Sequence, residues 1–340
     1  MSRRHALLAT GIVALLAIGW FMFARRGALV VYCAHDAIYA EKVLRDFEKR
    51  TGIPVAIRFD TEATKSLGLV ELIVREKDAP RCDVFWNNEL LGTLDLAERG
   101  ILEPYSGAGS ARIPAAFKDR GGRWTGFAAR LRVLMCRNDL RDAEPAARLQ
   151  RGVLALSDGS RMAIAKPLYG TTLTHYSVLW HTLGDAALQA WHREWRRRGV
   201  RELNGNGAVK DAVAEGVCDF GFADTDDFFE AKDEGKPVAM MPVRLEDHRT
   251  ICIPNTVAII HGTKHAADAR KLVDFLLSEE TELALANSKS RQIPLGPVPA
   301  DRLPTEVREL VEWAKDGVDL TLLGPARAAC LAWLKAEYLR

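Results

Sequence analysis

The sequence predicts an α/β protein of two lobes around a cleft, joined by long hinge strands and preceded by an N-terminal hydrophobic anchor. Three observations carry that prediction. Short apolar runs rich in β-branched residues alternate with amphipathic helical stretches, the pattern of a mostly parallel sheet with right-handed crossovers. The alternation comes in two blocks, each accompanied by an unusually long strand-like segment, Trp124–Cys136 and Ile251–Ile260. The length of 340 residues suits about two domains rather than one.

The chain opens with Ala6–Phe23, 18 mostly apolar residues between Arg3-Arg4 and Arg25-Arg26. That length falls between a signal-peptide core and a full membrane span. Phe21, Met22 and Phe23 leave no small-residue cleavage site, and Cys33 comes too late for lipoprotein processing. An uncleaved anchor with an exported body is expected, with a cleaved signal peptide as the alternative. In the first block, Ala28–Cys33 reads as a strand buried on both faces. Ile38–Thr51 reads as an amphipathic helix stopped at Gly52, Pro54–Phe59 as a second strand and Ala63–Lys77 as a helix. Cys82–Trp86 is a third strand, and Asn88–Arg99 a helix stopped at Gly100.

The second block repeats the pattern. Met162–Ala165 reads as a strand, Thr172–Leu183 as a helix and Ala186–Arg198 as a strongly basic helix. Ala208–Glu215 is a helix ending at Gly216, and Cys218–Phe222 a strand. Helices at Ala266–Leu277, Val307–Ala314 and Ala326–Tyr338 complete the chain. The expected organisation is a signal peptide or anchor over residues 1–26, lobe one over 27–128 with 258–340, and lobe two over 129–257.

Composition narrows the function. With 48% apolar and 27% charged residues, the chain is globular rather than disordered or fibrous. Its net charge of +2 comes from the arginines flanking the first apolar run; without those four, the body carries −2. A near-neutral body lacks the basic face of a nucleic-acid binder. Six cysteines form no CxxC, so a zinc ribbon or thioredoxin site has no support. Those at 33, 82, 218 and 252 sit on apolar strands and read as buried free thiols. Trp191–Arg198 is basic and aromatic; beside a near-neutral body it reads as a solvated helix face rather than a lipid or partner patch. No GxSxG, HExxH, P-loop or dinucleotide fingerprint is present.

In open α/β sheets, ligands bind beyond the carboxyl ends of the strands. His35-Asp36, Asp60-Thr61-Glu62, Asn87-Asn88-Glu89 and Asp224–Asp227 all stand at such ends. Each has a structural alternative: Asp36, Thr61 or Asn88 can cap a following helix, and His35 can be a satisfied, half-buried imidazole. Tyr169-Gly170-Thr171-Thr172 opens a helix after the strand IAKP. Unpaired N–H groups and the helix dipole there attract anions. Arg130 lies in the long hinge strand, with Arg132 on the same face. A guanidinium aimed into the cleft and an inter-lobe salt bridge are equal readings. In LNGNGAV, Asn204 and Asn206 are candidate donors to a ligand, with turn and capping duty the better-supported reading. Asn255 interrupts an apolar strand as a hinge residue or a ligand contact.

The motifs VVYCAHD, RTGIPVAIRFD, CDVFWNNE, LAERGILEPY, IAKPLYGTTLTHYSVLW, LNGNGAVKDAVAEGVCDFGFADTDD and ARKLVDFLLSEETELALA follow one another between residues 28 and 300. In that order they resemble the periplasmic iron(III)-type solute-binding proteins of ABC importers, which have the type II periplasmic-binding-protein fold. The resemblance implies a periplasmic receptor that captures a small solute by hinge closure and hands it to a membrane permease. It also implies that the YGTT loop holds a synergistic anion such as phosphate or carbonate. One departure stands out. Ferric-binding members carry two adjacent tyrosines, hard phenolate ligands, where this chain has Asp226 and Asp227. The tyrosine-based iron site is therefore not carried over.

An oxygen-rich alternative is His35, Glu89, Asp226 and Asp227, ligand types that suit several divalent or trivalent metals. The resulting expectation is a non-catalytic, monomeric receptor of an ABC-type importer. Its cargo would be a metal ion such as iron(III), with or without an anion. A phosphorylated or carboxylated metabolite, or a cationic amine such as a polyamine or thiamine, is the alternative cargo. A metal-dependent hydrolase is the competing class.

Overall fold

The computed structural model describes residues 27–60, 67–143 and 159–338. The expected anchor, Thr61, Glu62 and the start of the helix expected from Ala63 lie outside those residues. Among the described residues, no helix is long and apolar enough to cross a membrane.

The first block runs β1 (Leu29–Cys33), α1 (Ala37–Thr51), β2 (Val55–Phe59), α2 (Leu67–Arg75), β3 (Val84–Asn87) and α3 (Leu91–Glu98). Short elements β4 (Leu102–Glu103) and α4 (Ala108–Ala111) lead into the long β5 (Thr125–Arg137). The second block runs β6 (Met162–Ala165), α5 (Gly170–Leu183), α6 (Asp185–Arg197), β7 (Arg201–Leu203), α7 (Asn206–Ala214), β8 (Phe220–Asp224), α8 (Thr225–Asp233) and β9 (Val238–Pro242). The chain returns through β10 (Cys252–Ile260) and closes with α9 (Ala266–Leu276), α10 (Glu279–Ala286), α11 (Thr305–Ala314) and α12 (Gly324–Tyr338).

Among the described residues, all ten strands belong to one sheet of order β2-β1-β3-β10-β5-β8-β6-β7, with β4 beside β10 and β9 beside β5. Within each block the strands are parallel: β1 with β2 and β3, and β6 with β7 and β8. The blocks are joined by antiparallel pairing of the two long strands. β5 pairs β10 over Thr125–Leu131, then changes partner and pairs β8 from Arg132 onward. One continuous strand therefore serves both halves, as its length of 13 residues allows.

The change of partner is locally irregular. The β5–β10 register shifts between Ile253 and Asn255, and Ala128 has φ of 42°, a left-handed conformation that a side chain disfavours. Its amide donates to Glu282 Oε1 at 3.1 Å, and its carbonyl accepts from Asn255 Nδ2. Asn255 Oδ1 accepts from Trp86 Nε1 at 3.3 Å. Asn255 is thus a buried stitch across the joint and does not line the cavity described below.

Helices cover both faces of each block. Leu44, Phe47, Trp86 and Leu272 build the core of the first block, and Val133, Val209, Phe229 and Leu310 that of the second. α11 therefore packs with the second block. α12 reaches both: Trp333 lies 5.7 Å from Trp180 of α5, and Arg327 lies 3.7 Å from Asp95 of α3. All six cysteines are buried thiols with no disulfide among them, and burial pushes the Cys252 and Cys330 thiols up to about 12. On α6, Trp191 and Trp195 face the core, while Arg193, Arg197 and Arg198 pair with Glu337 and Glu194 on the surface.

Two elements differ from expectation around the cleft. The stretch after β8 is the helix α8, where the sequence suggested only a polar cluster. Asp227 reaches back to accept from the Asp224 amide at 3.0 Å, half of a reciprocal cap that starts the helix. α3 begins at Leu91 rather than Asn88, because Glu89 accepts from the amides of Leu91 and Gly92.

Candidate functional site

A cavity of about 60 Å³ opens between the carboxyl ends of the two strand blocks. From the first block it is lined by Asp36 and Asn88, and from β5 by Arg130. From the second it is lined by Ala165, Lys166, Tyr169–Thr172, Gly205, Asn206, Asp224, Asp226 and Asp227. The space suits a few waters, an ion pair or a small solute.

Asp36 occupies the N-cap position of α1, and Asp224 caps α8 in a reciprocal box with Asp227. Carboxylate oxygens of Asp224, Asp226 and Asp227 lie within 4.8 Å of one another, a set able to hold a metal ion. Two of the three are paired with arginines of β5. Arg132 Nη1 donates to Asp224 Oδ1 at 2.7 Å and to Thr171 Oγ1 at 3.2 Å. Thr171 Oγ1 in turn donates to Asp224 Oδ2 at 2.6 Å, and Asn206 Nδ2 donates to the same oxygen at 3.0 Å. Arg130 Nε donates to Asp226 Oδ2 at 3.1 Å and Nη1 to the Asn88 carbonyl at 2.6 Å, while Nη2 lies 3.3 Å from His35 Nδ1. Burial works against the Arg130 charge, but the carboxylates of Asp226, Asp224 and Asp36 outweigh it and raise its pKa. The guanidinium therefore bridges first-block residues to the second-block Asp226.

α5 points its N-terminus into the cavity. Gly170 takes φ of 59°, and a Cβ there would meet nothing. The first-turn amides of a helix have no partner within it, so those of Thr171 and Thr172 offer donors beside their own hydroxyls.

Other expected residues are placed elsewhere. His35 sits at the end of β1, buried between Tyr39 and Trp86 at 5.9 and 5.6 Å. Its Nε2 lies 3.0 Å from Gln292, so both ring nitrogens face protein groups. Glu89 is spent on the α3 cap and also accepts from Asn87 and Thr174 at 3.2 and 3.4 Å. Neither belongs to the carboxylate set: His35 and Glu89 hold the cleft wall rather than line the cavity. Asp60 accepts from the Leu69 amide at 3.3 Å. It follows β2, the edge strand of the first block. Asn206, not Asn204, lines the cavity, because α7 starts at Asn206 and turns that side chain toward Thr171 and Asp224.

Two residues went unread in the sequence. Lys166 follows β6 and lines the cavity; its place just past a strand end was a usable signal. Tyr39 has its phenol pKa raised by burial and then by Asp226, Glu230, Asp36 and Asp227, so it stays a proton donor beside the acids. It sits a turn inside α1, which no strand-end rule identifies.

Comparison with known proteins agrees with this fold. A family model described as bacterial extracellular solute-binding protein matches residues 29–288. A curated relative, an Fe(3+)-binding periplasmic protein of Serratia marcescens, is 27% identical over 218 residues. The match covers 64% of this chain and spans 62% of that relative's length. Iron-bound HitA from Pseudomonas aeruginosa superposes with a TM-score of 0.76 at 20% identity, covering 91% of this chain and 99% of that one. AfuA from Actinobacillus pleuropneumoniae with fructose-6-phosphate bound gives 0.67 at 17% identity, over 86% and 98%. At such identities the two structures speak for the fold, a two-lobe periplasmic-binding-protein architecture of type II.

Proposed function

Because the chain belongs to the bacterial extracellular solute-binding protein family, we propose that it is the receptor of an ABC-type importer and captures its cargo in this cavity. Residues 27–128 with 258–340 form one lobe and 129–257 the other, with α11 and α12 reaching from the first over the second. β5 and β10 are the hinge. Cargo that touches Asp36 and Asn88 on one side and Asp226, Asp227 and α5 on the other favours the closed state by its differential affinity. The receptor works outside the cytoplasm, tethered or released, and delivers to a membrane permease.

The observation that carries this reading is one cavity in which Asp36 and Asn88 of the first block face a second-block wall that holds both the carboxylates of Asp224, Asp226 and Asp227 and the N-terminus of α5. A positive centre belongs against the carboxylates, and an oxyanion against the amides of Thr171 and Thr172. Iron(III) with phosphate or carbonate meets both demands, and the Serratia marcescens relative is named for iron. Asp226 and Asp227 supply hard oxygen ligands in place of phenolates. A second reading, an organic solute, draws support from the pairing of Asp226 and Asp224 with Arg130 and Arg132, which a metal would have to share.

Native mass spectrometry of the freshly purified chain tests the reading. A retained metal, alone or with a small anion, supports the first cargo and a retained organic mass the second. A chain that retains nothing and shows no closure with any candidate refutes the receptor.

A further inference from the structure

The two faces of the sheet treat the joint differently. On the face that carries α1 and α8, the apolar core is divided. One cluster holds Phe47 and Trp86 and ends on β5 at Phe127 and Ala128. The next begins at Ala129 and holds Val209 and Phe229. The division falls at the left-handed Ala128, and among the described residues the half-buried Leu295 alone packs against both clusters. On the opposite face a single cluster runs from block to block. It holds Leu91 and Leu96 of α3, Leu179 of α5, and Leu320, Leu323 and Cys330. Leu320–Leu323 is a 3-10 turn and Cys330 lies in α12. The C-terminal segment thus takes part in the bridge, past the residues 29–288 that the family model matches.

We infer that residues 318–338 weld the two blocks along α3 and α5, so that the hinge opens on the α1–α8 face alone, with the weld as its pivot. The 3-10 turn and α12 each lie against both α3 and α5. At the first block, Arg327 is 3.7 Å from Asp95. Gly324 brings the start of α12 so near α3 that a Cβ there would come 2.6 Å from Glu98 Oε1. At the second block, Trp333 meets Trp180 at 5.7 Å, Glu337 pairs with Arg193 at 3.0 Å and Tyr338 donates to Glu202. The Val318 amide donates to the Thr250 carbonyl at 3.0 Å, just before β10, so the segment starts beside the hinge strands. Parting the α1–α8 face breaks polar links such as Arg130 to Asp226 and to the Asn88 carbonyl, and water replaces them. Parting the welded face would expose apolar side chains, for which water offers no replacement.

The inference goes beyond the receptor reading and is tested without cargo, so its failure and that of the receptor reading are told apart. Double electron–electron resonance on the full-length chain in detergent makes the test. The native cysteines are buried, which confines spin labels to introduced ones. One pair, Ile38→Cys with Glu234→Cys, spans the divided face. The other, Lys77→Cys with Arg197→Cys, spans the welded face; all four positions are exposed. The Ile38–Glu234 distance distribution is expected to be at least about twice as wide as the Lys77–Arg197 distribution. Leu323→Ser, with its helix content intact, should widen Lys77–Arg197 until the two match. Equal widths with the weld intact would overturn the inference. So would a Lys77–Arg197 distribution that stays narrow in a folded Leu323→Ser chain. If that variant fails to fold, the first comparison decides.

Discussion

The two walls of the cleft begin from the same material, polar side chains at strand ends, and use it differently. On the first-block wall, His35, Asn87 and Glu89 are consumed by structure: a stack between aromatic rings, a side-chain bond and a helix cap. On the second-block wall, Arg132, Thr171, Asn206 and Asp224 are consumed too, but by one another. Their network aims Asp226, Asp227 and the start of α5 into the cavity. The difference teaches that a polar strand end becomes a site only where a neighbouring network takes over the structural duties.

Removing charge from the second wall should do most. Asp226→Asn with Asp227→Asn is expected to weaken cargo binding about 100-fold or more with the fold retained, read by titration alongside the melting temperature. An unchanged affinity would move the site to the first wall and break the contrast. Arg132→Met comes next. It leaves Asp224 buried at 5% side-chain exposure without its ion pair, and should cost about 3–5 kcal/mol in denaturant unfolding. Little loss there would mean that Thr171 and Asn206 alone can carry Asp224.

The second block should also be the acid-sensitive one. Burial, then Arg196, lowers His192 from 6.5 to about 4, and Glu202 at 4.0 Å is too distant to reverse that. Below 6.5 the unfolded chain takes up a proton that the folded chain refuses. Stability from this group is thus complete above about 6.5 and is lost as pH falls toward 4, by at most about 3 kcal/mol. Guanidinium unfolding at several pH values, with His192→Gln as control, reads the slope; an equal slope in the variant would place the acid sensitivity elsewhere. On the first wall, Glu89→Gln should cost about 1–2 kcal/mol of stability while cargo affinity stays within a factor of about two. A large affinity loss would make Glu89 a cargo contact and erase the contrast between the walls. The smallest effect is expected at the joint itself. Ala128→Gly relieves the left-handed backbone but frees the unfolded chain, so stability should move by less than about 1 kcal/mol. Scattering from the cargo-free chain should report wider opening, and a loss of several kcal/mol would mean that the Ala128 methyl, not the backbone, holds the joint.

Much of this was legible in the residues. Continuous β-branched runs such as Ala28–Cys33 can only be strands covered on both faces, and Gly52, Gly100 and Gly216 mark helix ends by taking positive φ. Asp36, Tyr169–Thr172 and Asp226-Asp227 followed from one rule, that sites form beyond strand carboxyl ends. The rule also pointed to Asp60 and Glu89, because it knows neither strand order nor cap geometry. Asp60 follows an edge strand, and Glu89 is captured by amides two and three residues ahead.

By itself the sequence determined the alternation of elements, the two blocks, the long strands between them and the family to which the motifs belong. These depend on local periodicity and on residue order. Only the tertiary structure decided that Arg130 joins Asn88, His35 and Asp226, that Asn206 rather than Asn204 reaches Thr171, and that Asn88 presents an unpaired oxygen. Those facts depend on residues 35 to 96 positions apart, in pairs such as Asn206–Thr171 and Arg130–Asp226. Their approach is set by the partner change of β5, and no local pattern encodes a distance between blocks.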